Sequence, residues 1–178
     1  MNVEILDAIA SIGTFVVITV TAIAALIQLR HMRSANQLAG LLQTVNTWES
    51  ASFQEKKRWV KDVLPAKLKE NKFMHELRSS STLDRLEHPE LAVCDLWEQT
   101  GCYVKHGIIS EEPFLDLCAA QVAGDWNMLV PVVGLRREAF GDAAYENFEY
   151  LAARAFAYQK HNPTNYPSHT PRLLPPSR

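Results

Sequence analysis

Apolar residues run from Ala8 to Ile27 without one charged side chain, and beyond that point they recur at steps of three and four. A 20-residue helix is about 30 Å long, which matches the hydrocarbon thickness of a bilayer. The polar residues inside the run are Ser11, Thr14, Thr19 and Thr21, whose hydroxyls can bond back to carbonyls of the same helix. The pattern predicts a transmembrane helix over residues 8–29. A removable export signal is the first competing reading, because Ala22-Ile-Ala24 has the small-x-small form of a cleavage site. Such signals open on Lys or Arg, whereas Glu4 and Asp7 are the charged side chains before Ala8. A buried soluble helix is the second, and it would show polar residues at every turn or so.

The helical period continues past the apolar run. Ala35, Leu38, Leu42, Val45 and Trp48 form a stripe expected to face the rest of the domain, so the anchor and the first following helix read as one rod from Ile9 to Trp48. Ser52-x-x-Glu55 has the form of a capping box, which predicts a helix from there to a stop before Pro65. Residues 78–84 read as a loop. Pro89 suits the first position of a helix with Val93, Leu96, Trp97, Thr100 and Val104 inward and Gly107 as its stop. Ser110 is the expected cap of the next helix. Gly124-Asp125 reads as a break, Trp126 to Phe140 as a further helix, and Gly141-Asp142 as the start of a last helix carrying Tyr145, Phe148, Leu151, Ala152, Ala155 and Phe156 inward. From His161 the chain has five prolines in 18 residues and no periodicity, the composition of an extended, disordered tail.

No alternating β-branched run appears after the span. The fold class is therefore all-α: a single N-terminal transmembrane helix continuing into a small cytosolic bundle of about five or six helices. Residues 1–7 form an external N-terminus, 8–29 the span, 30–160 the helical domain and 161–178 the Pro-rich tail.

Charge orients the span. Arg30 and Arg33, with His31 between them, follow the apolar run at once, and by the positive-inside rule they hold the C-terminal side in the cytoplasm. Cys94, Cys102 and Cys118 make an odd, unevenly spaced set that suits a reducing compartment and no disulfide or zinc pattern. A net charge of -2 excludes a general nucleic-acid binder, which would carry a strong basic excess.

Partners are expected at two places. Ala10, Thr14, Val17, Thr21 and Ala24 share one face of the span, and small or hydroxylated residues let two helices approach closely in lipid, so this face could pack against a protein partner or another copy. From Glu55 to Lys72 seven Lys or Arg face three acids. Lys56, Lys57, Arg58 and Lys61 could touch anionic headgroups if that segment folds back to the bilayer, the alternative being a solvated amphipathic helix. The lipid bilayer itself is the remaining partner.

Catalytic patterns are scarce. There is no phosphate-binding Gly-Lys-Ser/Thr loop, no Gly-x-Ser-x-Gly turn and no Glu-x-x-His pair, so no metal and no cofactor is expected. The best constellation is Asp95, Glu98, Cys102 and His106, the last three at i, i+4 and i+8 on one helix side. A thiol near an imidazole could act as a nucleophilic pair, or the four groups could share a metal; on the side away from the apolar face they also read as a wetted surface. Glu149 is expected to meet Arg136 or Arg137 in a structural pair.

Three stretches together resemble a known family: the anchor with QLRHMRSANQ, DLWEQTGCYVKHGIISEEPFLDL from Asp95 to Leu117, and NFEYLAARA from Asn147 to Ala155. They are similar to a family of bacterial single-pass membrane proteins catalogued as a domain of unknown function, with helix-packing motifs around Trp97, Gly101, Gly107 and Phe148-Glu149-Tyr150. The resemblance implies a helical fold in a bacterial inner membrane and carries no catalytic residue. The functional expectation is a membrane-tethered interaction or regulatory module; the alternative is a membrane-held enzyme using the Asp95, Glu98, Cys102 and His106 face.

Overall fold

A computed structural model of the chain describes residues 3–164, 166, 169–171 and 173, with the side chains of residues 3–6 and 8–10 excepted. Among these residues the protein is all-helical. One helix of 47 residues, α1 (Val3–Glu49), is followed by α2 (Ala51–Asp62), α3 (Leu64–Lys67), α4 (Asn71–Ser79), α5 (Pro89–Lys105), α6 (Glu111–Phe140) and α7 (Glu146–His161). Six helices thus follow α1. The tail beyond His161 falls largely outside the described residues.

The rod expected from Ile9 to Trp48 is continuous, and at 1.5 Å per residue α1 is about 70 Å long. Its stop is a single residue. Ser50 leaves the helical conformation, donates its hydroxyl to Thr47 O and accepts from Phe53 N, which starts α2 at Ala51. The capping box expected at Ser52 is therefore not the cap. Ser52 lies inside α2, where its hydroxyl takes Lys56 Nζ at 2.8 Å.

Pro89 opens α5, and Gly107, at φ 67°, closes the turn after it. The break expected at Gly124-Asp125 does not occur, because α6 runs 30 residues straight through it. Gly124 is exposed with open space around it, so nothing forces a turn there, and Asp125 points inward to polar partners. Pro131 sits in mid-helix on the exposed side, where water can satisfy the carbonyl that a proline leaves without a donor. The last helix begins at Glu146, five residues after Gly141, and Tyr145 makes the entry in the left-handed region at φ 58°.

The core lies between α5, α6 and α7, with Trp97, Phe114, Phe148, Leu129 and Leu151 fully buried. Trp97 meets Phe114 edge-on at 6.5 Å, and Trp126 meets Phe148 at 4.9 Å. Phe156, expected inward, is 40% exposed. Arg136 is buried and donates to the carbonyls of Leu77, Ser80 and Ser81, fixing the end of α4 against α6. Its neighbour Arg137 takes the ion pair with Glu149, at 2.8 Å.

Candidate functional site

From Ser11 to Leu29 every residue is exposed, with Phe15 at 70% and Ile12 at 65%. The helix is long and apolar enough to cross a membrane, and its most apolar 18-residue window has a mean hydropathy of 2.2 with none of it buried. Thr19 and Thr21 donate to Phe15 O and Val17 O, both at 2.8 Å, so these hydroxyls need no outside partner. Thr14, Val17, Thr21 and Ala24 share a face by spacing and are all exposed; the side chain of Ala10 lies outside the described residues.

The second half of α1 carries the bundle, by a face that shares Trp48 with the stripe expected but leaves Ala35, Leu38 and Leu42 outside. Leu38 and Leu42 are 56% and 52% exposed. Docking is made by Gln37, whose Nε2 donates to Gly107 O at 3.0 Å, by Gly40, by buried Thr44 and by Trp48. A Cβ on Gly40 would stand 3.1 Å from Ile109 Cγ1, so the α5–α6 corner sits so close to the rod that any side chain here would push Ile109 back by a few tenths of an ångström. Thr44 returns its hydroxyl to Gly40 O, and Trp48 O accepts from Gln54 Nε2. Polar and small residues make much of this contact beside Leu41 and Trp48, which is why hydrophobic periodicity pointed a third of a turn away from its centre. Arg33 lies on the same side, its Nη2 3.8 Å from where a Cβ on Gly107 would be.

With its C-terminal corner at Gln37 and Gly40 and Pro89 beside Lys56 and Trp59 of α2, α5 runs antiparallel to α1. The basic segment accordingly stands at the end of the bundle remote from the apolar half. Its groups have local work as well. Lys57 Nζ reaches Asp125 Oδ1 at 3.0 Å and stands 5.6 Å from the Trp48 ring centroid, and Lys56 bonds Ser52. Arg58 and Lys61 line a cleft of about 420 Å³ with Gln54, Gln121 and Met128.

The four groups on α5 do not converge. Asp95 accepts from Arg85 Nε at 2.7 Å and from Tyr145 OH at 3.1 Å. Glu98 accepts from Asn147 Nδ2 at 2.7 Å and from the backbone N–H of Phe148 at 2.8 Å. It therefore supplies the side-chain cap that Tyr145 cannot give to α7. Cys102 is half-buried and His106 exposed at the end of the helix. Among the described residues no group of three or more His, Cys, Asp or Glu could hold a metal ion.

Two buried polar groups escaped the sequence reading. Asp125 bridges Lys57 and Trp97 Nε1, the latter at 2.8 Å, and burial pushes its carboxyl above the usual range against the pull of Lys57. Glu90 is fully buried, with Oε1 2.8 Å from His88 Nδ1 and Oε2 without a partner; burial raises its carboxyl too. An acid flanked by apolar residues within a helix was the available signal at both positions.

The geometry defines a class: an all-helical bundle borne on the lower half of one long helix whose upper half is bare and apolar. Within that class the chain belongs to the family described as domain of unknown function DUF4760, whose model matches residues 15–155. No curated protein and no solved structure matches the chain.

Proposed function

We propose that the protein is a single-pass anchor of a bacterial inner membrane that holds a helical interaction module at the cytoplasmic face. The observation that carries this reading is the bare apolar half of α1, whose large side chains none of the other described residues covers. Water would make such a surface costly at about 25 cal/mol per Å², whereas lipid makes it the preferred state. The family match supports a permanent segment over a removable signal, because it begins at residue 15 and runs through the apolar stretch into the bundle. Arg30 and Arg33 orient the module inward and leave residues 1–7 outside.

Contact, not chemistry, is the proposed mode of action. Asp95 and Glu98, half of the alternative enzymatic constellation, are committed to holding Arg85, Tyr145 and the start of α7. Washing cell membranes with alkaline carbonate tests the anchor: the intact chain is expected to stay in the pellet, and its release would overturn the proposal.

A further inference from the structure

The outward face of α1 carries no formal charge well beyond any span. Thr21, Ala24, Gln28, His31, Ala35, Ala39, Leu42 and Asn46 follow one another at steps of three and four, so they form one line along the helix. All are exposed, and the line lies opposite the docking residues Gln37, Thr44 and Trp48. Its lower part stands beside the bundle, in water, at least six residues past Leu29. A solvated helix face there would carry Lys and Glu. From Ser34 to Trp48 there is not one charged residue.

We propose that this line is a seam at which the protein pairs with a second copy of itself, side by side and parallel. The proposal rests on the anchor reading, since a shared bilayer sets two copies upright at one depth. A two-fold axis along the membrane normal then brings each seam residue against its own counterpart. Any formal charge on the seam would face its like, at a cost of several kcal/mol. The charge pattern of α1 meets that condition. Between Asp7 and Glu49 the formal charges are Arg30 and Arg33, and both fall on the half turned toward the bundle, as the position of Arg33 beside Gly107 shows. An unlike partner would impose no such exclusion and would more naturally be selected by opposite charge.

The side chains fit the geometry level by level. Thr21 and Ala24 are small enough for close approach where lipid gives no hydrophobic drive. Leu42, with Leu38 at the seam's edge, supplies apolar bulk where water does. Gln28 and Asn46 carry amides that donate and accept at once, so each can bond its own copy, and such pairs fix register in parallel helices.

Disulfide mapping in native membranes tests the seam. In full-length chains carrying Cys102→Ser, with Cys94 and Cys118 buried, single cysteines are placed at Ala35, Ala39, Leu42 and Asn46, and at exposed Ser34 and Thr47 off the seam. Two tags of different size are co-expressed and a mild oxidant is added. Because a disulfide needs Cα atoms within about 7 Å, the seam positions are expected to give roughly fivefold more mixed-size dimer than Ser34→Cys or Thr47→Cys. Leu42→Glu added to Ala39→Cys should reduce its dimer to the off-seam level. Equal yields at all positions, maxima off the seam, or crosslinks only to a product of another mass would overturn the proposal. Release of the parent chain by alkali is scored separately and strikes the anchor alone.

Discussion

Lys57 Nζ stands 3.0 Å from Asp125 Oδ1, and around this pair four helices meet: α2 supplies the lysine, α6 the acid, α1 the Trp48 ring beside the ammonium, and α5 the Trp97 indole on the second carboxylate oxygen. Asp125 is 3% exposed, so removal of its cation leaves a buried charge with one neutral donor. Lys57→Met is expected to cost about 3 kcal/mol, whereas Lys57→Met with Asp125→Leu should cost clearly less than the two single changes summed. Chemical denaturation of the purified chain in detergent measures both. Additive losses would mean that the pair is no joint.

Gly101 and Gly124 predict opposite outcomes for one substitution. A Cβ on Gly101 would lie 2.1 Å from Asn147 O, a backbone atom that can retreat only if α5 and α7 separate. Gly101→Ala should therefore cost about 3 kcal/mol or more. Gly124 is helical with nothing within 4 Å, so Gly124→Ala should add about 0.5 to 1 kcal/mol through reduced unfolded-state freedom and better helix propensity. Melting temperatures of the two variants against the parent check both signs.

Glu98 predicts a graded loss. It accepts two bonds at the start of α7, so Glu98→Gln, which keeps one acceptor, should cost about 1 kcal/mol, and Glu98→Ala about 2. Amide hydrogen exchange localises the effect: protection should fall first at the N-terminal turn of α7. A uniform change across the bundle would argue against a capping role.

The buried carboxyl of Glu90 sets a pH dependence. Its folded form holds a proton to higher pH than the unfolded chain does, because burial outweighs the help of His88 and Arg85. The folded state thus binds more protons between the ordinary carboxylate range and the raised value, so stability falls as pH climbs through that window. Glu90→Gln removes the titration, and its unfolding free energy should decline less steeply than the parent's across the same range. Asp125, shifted in the same direction, accounts for slope that remains.

Much of the helical frame was legible because its signals are local. An uncharged run without Pro, with Gly13 as its one Gly, dictated the continuous first half of α1, Pro89 opened α5, and Gly107 adopted the positive φ expected of a stop. What escaped the sequence depends on tertiary surroundings. Gly124-Asp125 looks like a turn until Lys57 and Trp97 give the acid an inward partner, and Leu38 looks like core until Gln37, Gly40 and Thr44 prove the tighter contact. Asp95 and Glu98 followed the same rule, since spacing placed them on one helix while their partners came from residues 10 and about 50 positions away.

One measurement bears most directly on the anchor and its direction: labelling of single cysteines in intact bacterial cells stripped of their outer membrane, using a maleimide that cannot cross lipid. In a Cys102→Ser background, Asp7→Cys should label in intact cells, and Ser80→Cys, in the loop after α4, should label only after the membrane is opened. Labelling of Ser80→Cys in intact cells, or protection of Asp7→Cys there, would contradict a span over residues 8–29 with the bundle on the cytoplasmic side.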